Sequence, residues 1–409
     1  MSFEYHNGTL HAEDVALSKI ADAVGTPVHV YSAAVLRDAA NGFRAALRHL
    51  PMMRVAFAVK ANPNTAVLRL LAGCGFGADI VSGGELRRAV AAGMRPADIV
   101  FSGVGKTDSE MVEALERGIG QFNLELEEEG AVLAHLAHQR GLRAPAVLRV
   151  NPDVDACTHA KISTGKRENK FGVGIADVPA MYDRLSRHDG LDLQGVALHI
   201  GSQLSDLAPL EKAYARIGEL IGELRARGHT ITQVDLGGGL GIPYRDGDVF
   251  PSFEEYGAMV ARVTAGWNVA LTFEPGRAIA GAAGVLMTRV VWVKPGENHP
   301  FVIVDAAMND LVRPSLYGAY HRFTAVTLDG GKMVANIAGP VCETGDTFGM
   351  AQMIDHVGRG DLAVFHATGA YGAAMASTYN CRPLSSQVLV DGTTFVVVGD
   401  RMLPSEMAT

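Results

Sequence analysis

Short apolar segments alternate with helix-like segments from residue 35 to residue 278, and this alternation limits the possible folds more than any other feature of the chain. Between the strand candidates lie segments such as NTAVLRLLAG (64–73) and GGELRRAVAAG (83–93), whose spacing of apolar residues is typical of helices. The eight strand candidates are VAFAVK (55–60), ADIVS (78–82), DIVFSG (98–103), GQFNLE (120–125), PAVLRVN (145–151), LQGVALHIG (193–201), TQVDLGG (232–238) and VALTFEP (269–275). Eight such units in roughly 250 residues predict a closed parallel (β/α)8 barrel, with an open doubly wound sheet as the alternative.

The pattern changes after residue 280, where strand-like segments follow one another with little helix between them. They are GVLMTRVVWVKP, HPFVIVDAA, FTAVTLDGGKMVANIAG, DLAVFHAT and SQVLVDGTTFVVVGD. Two of them contain Asp-Gly pairs, Asp329-Gly330 and Asp391-Gly392, which predict tight hairpin turns. We therefore predict an α/β chain in which a barrel at 34–278 is followed by a mostly antiparallel β-domain at 279–409. One further strand candidate, PVHVYS (27–32), precedes the barrel set, and spacing alone does not assign it.

The composition argues against several classes of protein. With 48% hydrophobic and 20% charged residues, the 409-residue chain resembles an ordinary globular protein of two domains. The net charge of -8 argues against nucleic acid as a partner, because phosphate binding requires a basic face. No apolar run approaches the ~20 residues that span a bilayer, and the N-terminus lacks the pattern of a secretory signal. We expect a cytoplasmic protein without a membrane partner.

The four cysteines lie far apart, and none of them forms a Cys-x-x-Cys motif. They are Cys74, Cys157, Cys342 and Cys381. This spacing disfavours both a zinc site and a disulfide framework, so we predict no metal centre.

In a parallel barrel, functional side chains lie where strands end, and several polar residues of this chain occupy such positions. Lys60 ends the first barrel strand, His199 ends the sixth, and Glu274 ends the eighth. Asp79 and Arg149 lie on the second and fifth strands. A single lysine at a strand end usually only caps the strand, so the other positions must decide whether Lys60 has a chemical role.

A glycine run at 237–239 follows the seventh strand. It fails the spacing of a dinucleotide motif, because Ile242 occupies the position of the third glycine and Pro243 follows. Backbone amides at this end of a barrel suit a single phosphate instead. A tight turn without a ligand is about equally consistent with the run taken alone.

Cys342, in the stretch GPVCETGD, is a further candidate, although a single cysteine is more often a small buried apolar residue. Its position between proline and two acids in a loop-like segment favours a functional role. A lysine amine, a phosphate-binding loop, a carboxylate and a flat ring together indicate pyridoxal 5′-phosphate. That cofactor needs an amine for a Schiff base, amides for its phosphate and an anion for its ring nitrogen.

Eight motifs along nearly the whole chain resemble those of the diaminopimelate decarboxylases, a family in the alanine-racemase-like barrel class of pyridoxal-phosphate enzymes. The motifs are AVKANPN, ISTGKRENKFGV, HIGSQ, DLGGGLGIPY, FEPGR, MNDLVRPSLYGAYH, GPVCETGD and TGAYGAAMASTYNCRP. The motif GPVCETGD contains Glu-Thr-Gly-Asp, where Glu-Ser-Gly-Asp is more usual in the family. The resemblance also implies that residues 1–33, with the strand PVHVYS, belong to the β-domain.

The resemblance implies a role for each matching residue. Lys60 is then the Schiff-base lysine, His199 stacks on the pyridine ring, and Glu274 pairs with the ring nitrogen. The phosphate is expected to bind at Ser202, Gly238, Gly239, Gly276 and Arg277. Arg277, Arg313 and Tyr317 are expected to contact substrate carboxylates, with Asp79 and Arg149 as supporting residues.

The same resemblance implies a homodimer with composite active sites. Cys342, Glu343 and Tyr371 are expected to reach the site of the partner subunit, where Glu343 and Tyr371 contact substrate and Tyr371 also contacts the cofactor. The implied reaction converts meso-2,6-diaminopimelate to L-lysine and carbon dioxide in the last step of lysine biosynthesis. The Cys342 thiol is the candidate general acid that returns a proton to the α-carbon.

Other functions on the same fold remain alternatives. A decarboxylase of ornithine, arginine or lysine would use the same cofactor, but its substrates lack a distal carboxylate. Arg313, in its RPSLY setting, favours diaminopimelate, because a guanidinium binds a carboxylate with two parallel hydrogen bonds. An amino-acid racemase would not need the cysteine and acid of GPVCETGD. A non-catalytic homologue should have lost the lysine, the ring-pairing acid or the cysteine, and all three are present.

Overall fold

The computed structural model describes residues 3–155 and 170–406. Cys157 and most of the ISTGKRENKFGV motif lie outside the described residues. The chain divides into two compact units. The barrel unit contains Ala40–Gly241 and Val249–Gly276, and the β-unit contains the residues up to Ala39, Ile242–Asp248 and the chain from Arg277 onward. The domain boundaries expected at 33/34 and 278/279 stay predictions.

The barrel unit is built on eight parallel strands that close on themselves. Strand β5 pairs with β4 on one side and with β6 on the other, and β8 pairs with β1, so that no edge remains between them. The strands are β1 Met53–Ala58, β2 Gly77–Ile80, β3 Ile99–Phe101, β4 Gln121–Leu124, β5 Ala144–Asn151, β6 Leu191–Leu198, β7 Gln233–Asp235 and β8 Ala270–Phe273. The predicted closed barrel is confirmed, and the open sheet is wrong.

Helices follow the barrel strands, and local capping explains where several of them begin. Ser82 accepts a hydrogen bond from the Glu85 amide, and Thr107 with Glu110 and Ser252 with Glu255 form reciprocal capping boxes. The helices of this unit are Thr65–Gly73, Gly83–Ala91, Asp108–Arg117, Glu127–His138, Val178–Leu185, Ala208–Ala226 and Phe253–Val263. The remaining α-helices of the described chain are Leu17–Val24, Ala33–Leu47, Arg277–Ala280 and Arg313–Tyr317.

The strands end slightly earlier than the apolar pattern predicts. Lys60 follows β1 in a single 3-10 turn, Val59–Ala61, and His199 follows the last residue of β6. The apolar residues after a strand continue into a buried turn, so composition does not mark the point where strand geometry stops. As a result, the polar side chains lie on the turns beyond the strands.

The β-unit holds its longest sheet around the strand Gly284–Lys294. Val28–Ser32 pairs antiparallel with that strand and parallel with Ser386–Asp391, which places the PVHVYS segment in this sheet. The other strands of the unit are Phe3–His6, Thr9–Ala12, Val15–Ala16, Phe301–Val304, Phe323–Ala325, Lys332–Ala338, Thr347–Asp355, Leu362–Phe365 and Thr394–Gly399. The mostly antiparallel second sheet is confirmed, with two parallel pairs inside it.

The two Asp-Gly turns have different outcomes. Asp391 and Gly392 join Ser386–Asp391 to its antiparallel neighbour, as predicted. The hairpin predicted at Asp329-Gly330 is wrong, because the strand before it pairs with Leu362–Phe365 and the strand after it pairs with Thr347–Asp355. The Asp329 carboxylate is bound locally, by the Gly331 amide and the His356 ring, so this turn forms without pairing its flanking strands.

Within the described residues, no helix combines the length and the apolar composition that a membrane span requires.

Candidate active site

A cavity of about 390 Å³ opens in the barrel unit where strands β1, β4, β5, β6 and β8 end. Seven polar side chains line it, from Lys60, Ser102, Asn123, Arg149, Lys170, His199 and Glu274. This size is within the range of small-molecule sites, and the C-terminal ends of barrel strands are where such sites form. Lys60, Arg149, His199 and Glu274 were predicted from the sequence, whereas Ser102, Asn123 and Lys170 were not.

Lys60 and Asp79 form an ion pair in which the Lys60 Nζ lies 2.6 Å from Asp79 Oδ2. The Asp79 side chain has no solvent exposure, and its Oδ1 has no hydrogen-bond partner among the described residues. The lysine amine therefore neutralises a buried charge on one side while 38% of its side chain remains exposed on the other. A Cβ at Gly276 would lie only 3.0 Å from Ala58 Cβ and Ala61 Cβ, so only glycine packs comfortably against the turn that carries Lys60.

His199 presents a neutral imidazole. Burial of the ring, together with the positive charges of Arg149 and Lys60, lowers the pKa of His199 well below its usual range. The Gly238 amide donates a hydrogen bond to His199 Nδ1 at 3.2 Å, so the proton of the neutral ring lies on Nε2. The glycine run and the ring at the end of β6 are therefore in direct contact.

Glu274 is a buried acid that faces other acids. Burial, followed by the negative charges of Asp235 and Asp79, raises the pKa of Glu274 well above its usual range. Its Oε1 lies 3.4 Å from Ser102 Oγ and from Asn123 Nδ2. The Lys60 charge opposes this shift, and a cationic ring nitrogen beside Glu274 would lower its pKa further.

The glycine run forms a loop that fits between neighbouring strand ends. Gly237 and Gly239 have φ angles of 65° and 123°, a region that side chains other than glycine rarely adopt. A Cβ at Gly238 would lie 2.2 Å from the Glu274 carbonyl oxygen. The loop is therefore restricted to glycine by its conformation and by its neighbours, and its backbone lies close to His199 and Glu274.

These features fit pyridoxal phosphate. Lys60 would supply the amine, and His199 would supply a flat neutral ring. Glu274 would supply an acid for the ring nitrogen, and the glycine loop would supply backbone amides for the phosphate. Ser202 lies half-buried on the turn after β6, and Gly276 directly follows Glu274 and Pro275. Arg149 donates to Glu125 at 2.6 Å and lies over the Phe171 ring, in agreement with a supporting position on the pocket wall.

In the β-unit, two arginines lie around one tyrosine. Arg277 Nη1 donates to the Tyr244 hydroxyl at 2.6 Å, and the Arg313 guanidinium lies 4.9 Å from the centre of the Tyr244 ring. The Arg277 guanidinium also lies 4.9 Å from the centre of the Tyr371 ring. Arg277, Arg313 and Tyr371, three residues far apart in sequence, are thus brought together.

Arg313 is 6% exposed and forms no ion pair with an acid in the ranges 3–155 and 170–406. Its Nη1 lies 2.7 Å from His321 Nε2, and His321 Nδ1 donates to the His366 carbonyl at 2.8 Å. Burial and the Arg313 charge lower the pKa of His321 to about 3, which keeps its Nε2 available as an acceptor. Burial is the main cause that lowers the pKa of Arg313, and the positive charge of Arg277 lowers it further. Two cations held together in this way form a receptor for an anion.

Cys342 and Glu343 lie on an exposed loop of the β-unit. The buried Asp346 carboxylate shapes the loop by accepting from the Val341 amide at 2.7 Å and the Met308 amide at 2.6 Å. Ser315 donates to the Gly345 carbonyl at 2.5 Å, so the loop lies beside the helix Arg313–Tyr317, in which Tyr317 is half-buried. The thiol and the Glu343 carboxylate are therefore presented to solvent in the single chain.

The sequence analysis missed Tyr244, His321 and Asp235. Tyr244 and His321 belong to motifs that were recognised, GIPY and GAYH, but their roles depend on neighbours from distant segments. Asp235 begins the DLGGG motif, and its position directly before the glycines was an available signal.

Comparisons with known proteins agree with this arrangement. Residues 36–281 match the family model of the pyridoxal-dependent decarboxylase pyridoxal-binding domain. The diaminopimelate decarboxylase of Zymomonas mobilis subsp. mobilis is 51% identical over 98% of this chain and 96% of that protein. A crystal structure of diaminopimelate decarboxylase from M. jannaschii in complex with L-lysine covers 99% of this chain and 96% of its own, with 33% identity and a TM-score of 0.95. The lysine/ornithine decarboxylase of Vibrio vulnificus, at 18% identity and a TM-score of 0.80, shares the fold.

Proposed function

The chain belongs to the diaminopimelate decarboxylases of the pyridoxal-dependent barrel family, and we propose that it converts meso-2,6-diaminopimelate to L-lysine and carbon dioxide. The strongest support for this proposal is the set of side chains in the barrel cavity. The barrel cavity brings together an amine, a neutral flat ring and a buried acid whose pKa is raised, the three groups that pyridoxal phosphate requires. A 51% identical relative with the same reaction in its name supports the choice of substrate.

Pyridoxal phosphate, when bound, supplies a carbonyl for the substrate amine and an electron sink for the charge left by departing carbon dioxide. Lys60 would hold the group through its amine, and Asp79 keeps the lysine aimed into the cavity. His199 would support the ring of the group. Glu274 would be the acid that pairs with the ring nitrogen and balances its charge.

The substrate needs a receptor for the carboxylate that is not removed. Arg313 suits this task, because its guanidinium is buried, lacks an acidic partner in the described chain and is held by His321. Arg277 lies beside it through Tyr244 and strengthens the attraction for an anion. Substrates such as ornithine and lysine lack this second carboxylate and would leave Arg313 without an anion to bind.

We further propose a homodimer in which Cys342 and Glu343 act in the site of the partner subunit. Their exposure in the single chain supports this, because a general acid works best where water is excluded. Tyr371 packs on Arg277 of its own chain, which favours a place for Tyr371 with that arginine rather than in the partner's site. The expected cytoplasmic location stays a prediction.

Carbon dioxide release from meso-diaminopimelate is the direct test of the proposed reaction. We expect the purified chain with pyridoxal phosphate to release one carbon dioxide per L-lysine formed. Ornithine, arginine and lysine serve as controls, and we expect at least a hundredfold lower kcat/KM for each, equivalent to about 3 kcal/mol of lost guanidinium–carboxylate pairing. A higher kcat/KM for any of the three than for diaminopimelate would contradict the proposal.

Subunit mixing tests the composite site. Lys60→Ala and Cys342→Ala are each expected to be inactive, because one lacks the amine and the other lacks the acid. After exchange of subunits, a mixed dimer contains one site with neither change, so part of the activity should return. Mixing two batches of Lys60→Ala is the control and should recover nothing. If tagged subunits exchange but activity stays absent, each site is built from one chain.

A further inference from the structure

Asp235 ends strand β7 with a carboxylate that is almost fully buried, at 1% exposure. Its Oδ1 accepts a hydrogen bond from the Gly237 amide at 2.9 Å, and its Oδ2 accepts from Gln121 Nε2 at 2.9 Å and Asn123 Nδ2 at 3.4 Å. These three contacts all come from donors. Burial raises the pKa of Asp235, and the hydrogen bonds from the Gly237 amide and the Asn123 side chain oppose that shift. The same donors hold the two carboxyl oxygens in fixed positions within the barrel.

Gly237 links Asp235 to Glu274, the acid proposed to pair with the ring nitrogen. Its amide is bound by Asp235, and its carbonyl oxygen accepts from the Glu274 amide at 2.7 Å. The next amide in the loop, from Gly238, binds His199 Nδ1. Asp235 therefore fixes the loop at Gly237. The next peptide group, between Gly237 and Gly238, contacts both His199 and the Glu274 backbone.

Asp235 also interacts with Glu274 through side chains. Asn123 Nδ2 lies 3.4 Å from Asp235 Oδ2 and 3.4 Å from Glu274 Oε1, so one amide group bridges the two carboxyl groups. The negative charge of Asp235 is one of the causes that raise the pKa of Glu274. Glu274 has fewer and longer contacts with donors than Asp235 has, so the donors favour the anion at Asp235 more than at Glu274.

We infer that Asp235 is a positioning residue for pyridoxal phosphate, which fixes the glycine loop through Gly237 and keeps Glu274 ready to protonate the ring nitrogen. The inference rests on the cofactor site proposed above. Asp235 then has two separable effects. Its Oδ1 holds the glycine loop through the Gly237 amide, and its negative charge raises the pKa of Glu274.

Two substitutions separate these parts. Asp235→Asn removes the charge but keeps an oxygen for the Gly237 amide, whereas Asp235→Ala removes both. With cofactor-free protein titrated with pyridoxal 5′-phosphate, we expect Asp235→Asn to weaken binding about 10- to 100-fold. Asp235→Ala should weaken it a further 3- to 10-fold, roughly the effect of one neutral hydrogen bond. Asp192→Asn is the matched control, because Asp192 accepts from the Gln194 amide at 2.5 Å at the opposite end of strand β6.

A second background shows whether the charge acts through Glu274. In Glu274→Gln the ring-pairing acid cannot ionise, so the added Asp235→Asn change should cost less than about threefold in affinity. Equal losses in both backgrounds, or wild-type affinity in Asp235→Asn, would overturn the inference. Failure of the wild-type chain to bind the cofactor would instead refute the proposed function and the inference together.

If Asp235→Asn does not fold, Gln121→Met decides the question. This change keeps the size of the side chain and removes one donor from Asp235 Oδ2 without changing the charge. The inference then requires weaker cofactor binding, by about 3- to 10-fold, at an unchanged melting temperature of the cofactor-free protein. Unchanged cofactor affinity would overturn it.

Discussion

Lys60→Ala is expected to abolish covalent attachment of pyridoxal phosphate and to lower kcat/KM by about three orders of magnitude or more. Lys60 and Lys170 both line the barrel cavity, and Lys60 is the one whose amine lies 2.6 Å from the buried Asp79 carboxylate. Treatment of the wild-type protein with borohydride should trap the cofactor on the peptide that contains residue 60. Mass spectrometry and the visible absorbance of the protein both measure this attachment.

Lys60→Arg is the matched control for this experiment. The substitution keeps a cation next to the buried Asp79 carboxylate, so the ion pair and the melting temperature should be retained. A guanidinium does not form the covalent link, so the visible absorbance should be lost as completely as in Lys60→Ala. Trapped cofactor on another lysine, with normal absorbance in both variants, would contradict the role of Lys60.

Arg313→Ala is expected to cost about 2–5 kcal/mol in kcat/KM toward diaminopimelate, because the distal carboxylate loses its buried partner. Efficiency toward lysine, which lacks that carboxylate, should stay equally poor or rise slightly. Arg313→Lys should recover only part of the loss, since an ammonium offers no planar pair of donors. Steady-state kinetics on both substrates, together with a melting curve for each variant, measure these effects.

Arg382 provides the matched control, because it also precedes a proline in the β-unit. Its guanidinium donates to the Asp305 carbonyl at 2.6 Å, which is a structural contact. Arg382→Ala should therefore lower the melting temperature and reduce activity on both substrates to the same extent. The same uniform loss in Arg313→Ala would assign Arg313 a structural role and exclude the carboxylate contact.

Much of the barrel could be predicted from the sequence, because its strands are buried on both faces. Residues 55–59, for example, are apolar throughout, which predicts a buried strand rather than one at the surface. The strand Thr347–Asp355 was missed for the opposite reason. Its buried residues lie near its two ends, and exposed Met350, Ala351 and Met353 lie between them, so the sequence shows neither a continuous apolar run nor a regular alternation. The failed hairpin at Asp329 shows that a turn motif fixes the local backbone and leaves strand pairing to more distant contacts.

The site was only partly predictable for a similar reason. Lys60, His199 and Glu274 stand at strand ends in the sequence, and barrel geometry brings them together. Tyr244 and His321 follow no such rule, because each acts through a partner from a distant segment, Arg277 and Arg313 respectively. Asp235 depends on three donors from two other places in the barrel. Contacts of this kind are visible only in the folded chain.

The arrangement of Arg277 and Arg313 around Tyr244 has a consequence for heat resistance. Two positive groups confined together repel each other, and this repulsion lowers the free energy of unfolding of the unliganded protein. A bound dicarboxylate removes that penalty, so the substrate should protect this enzyme against heat more strongly than a monocarboxylic amino acid does. Selection or design for thermostability without ligand would favour neutral residues at these two positions. The protein would then gain robustness by giving up its ability to recognise the second carboxylate.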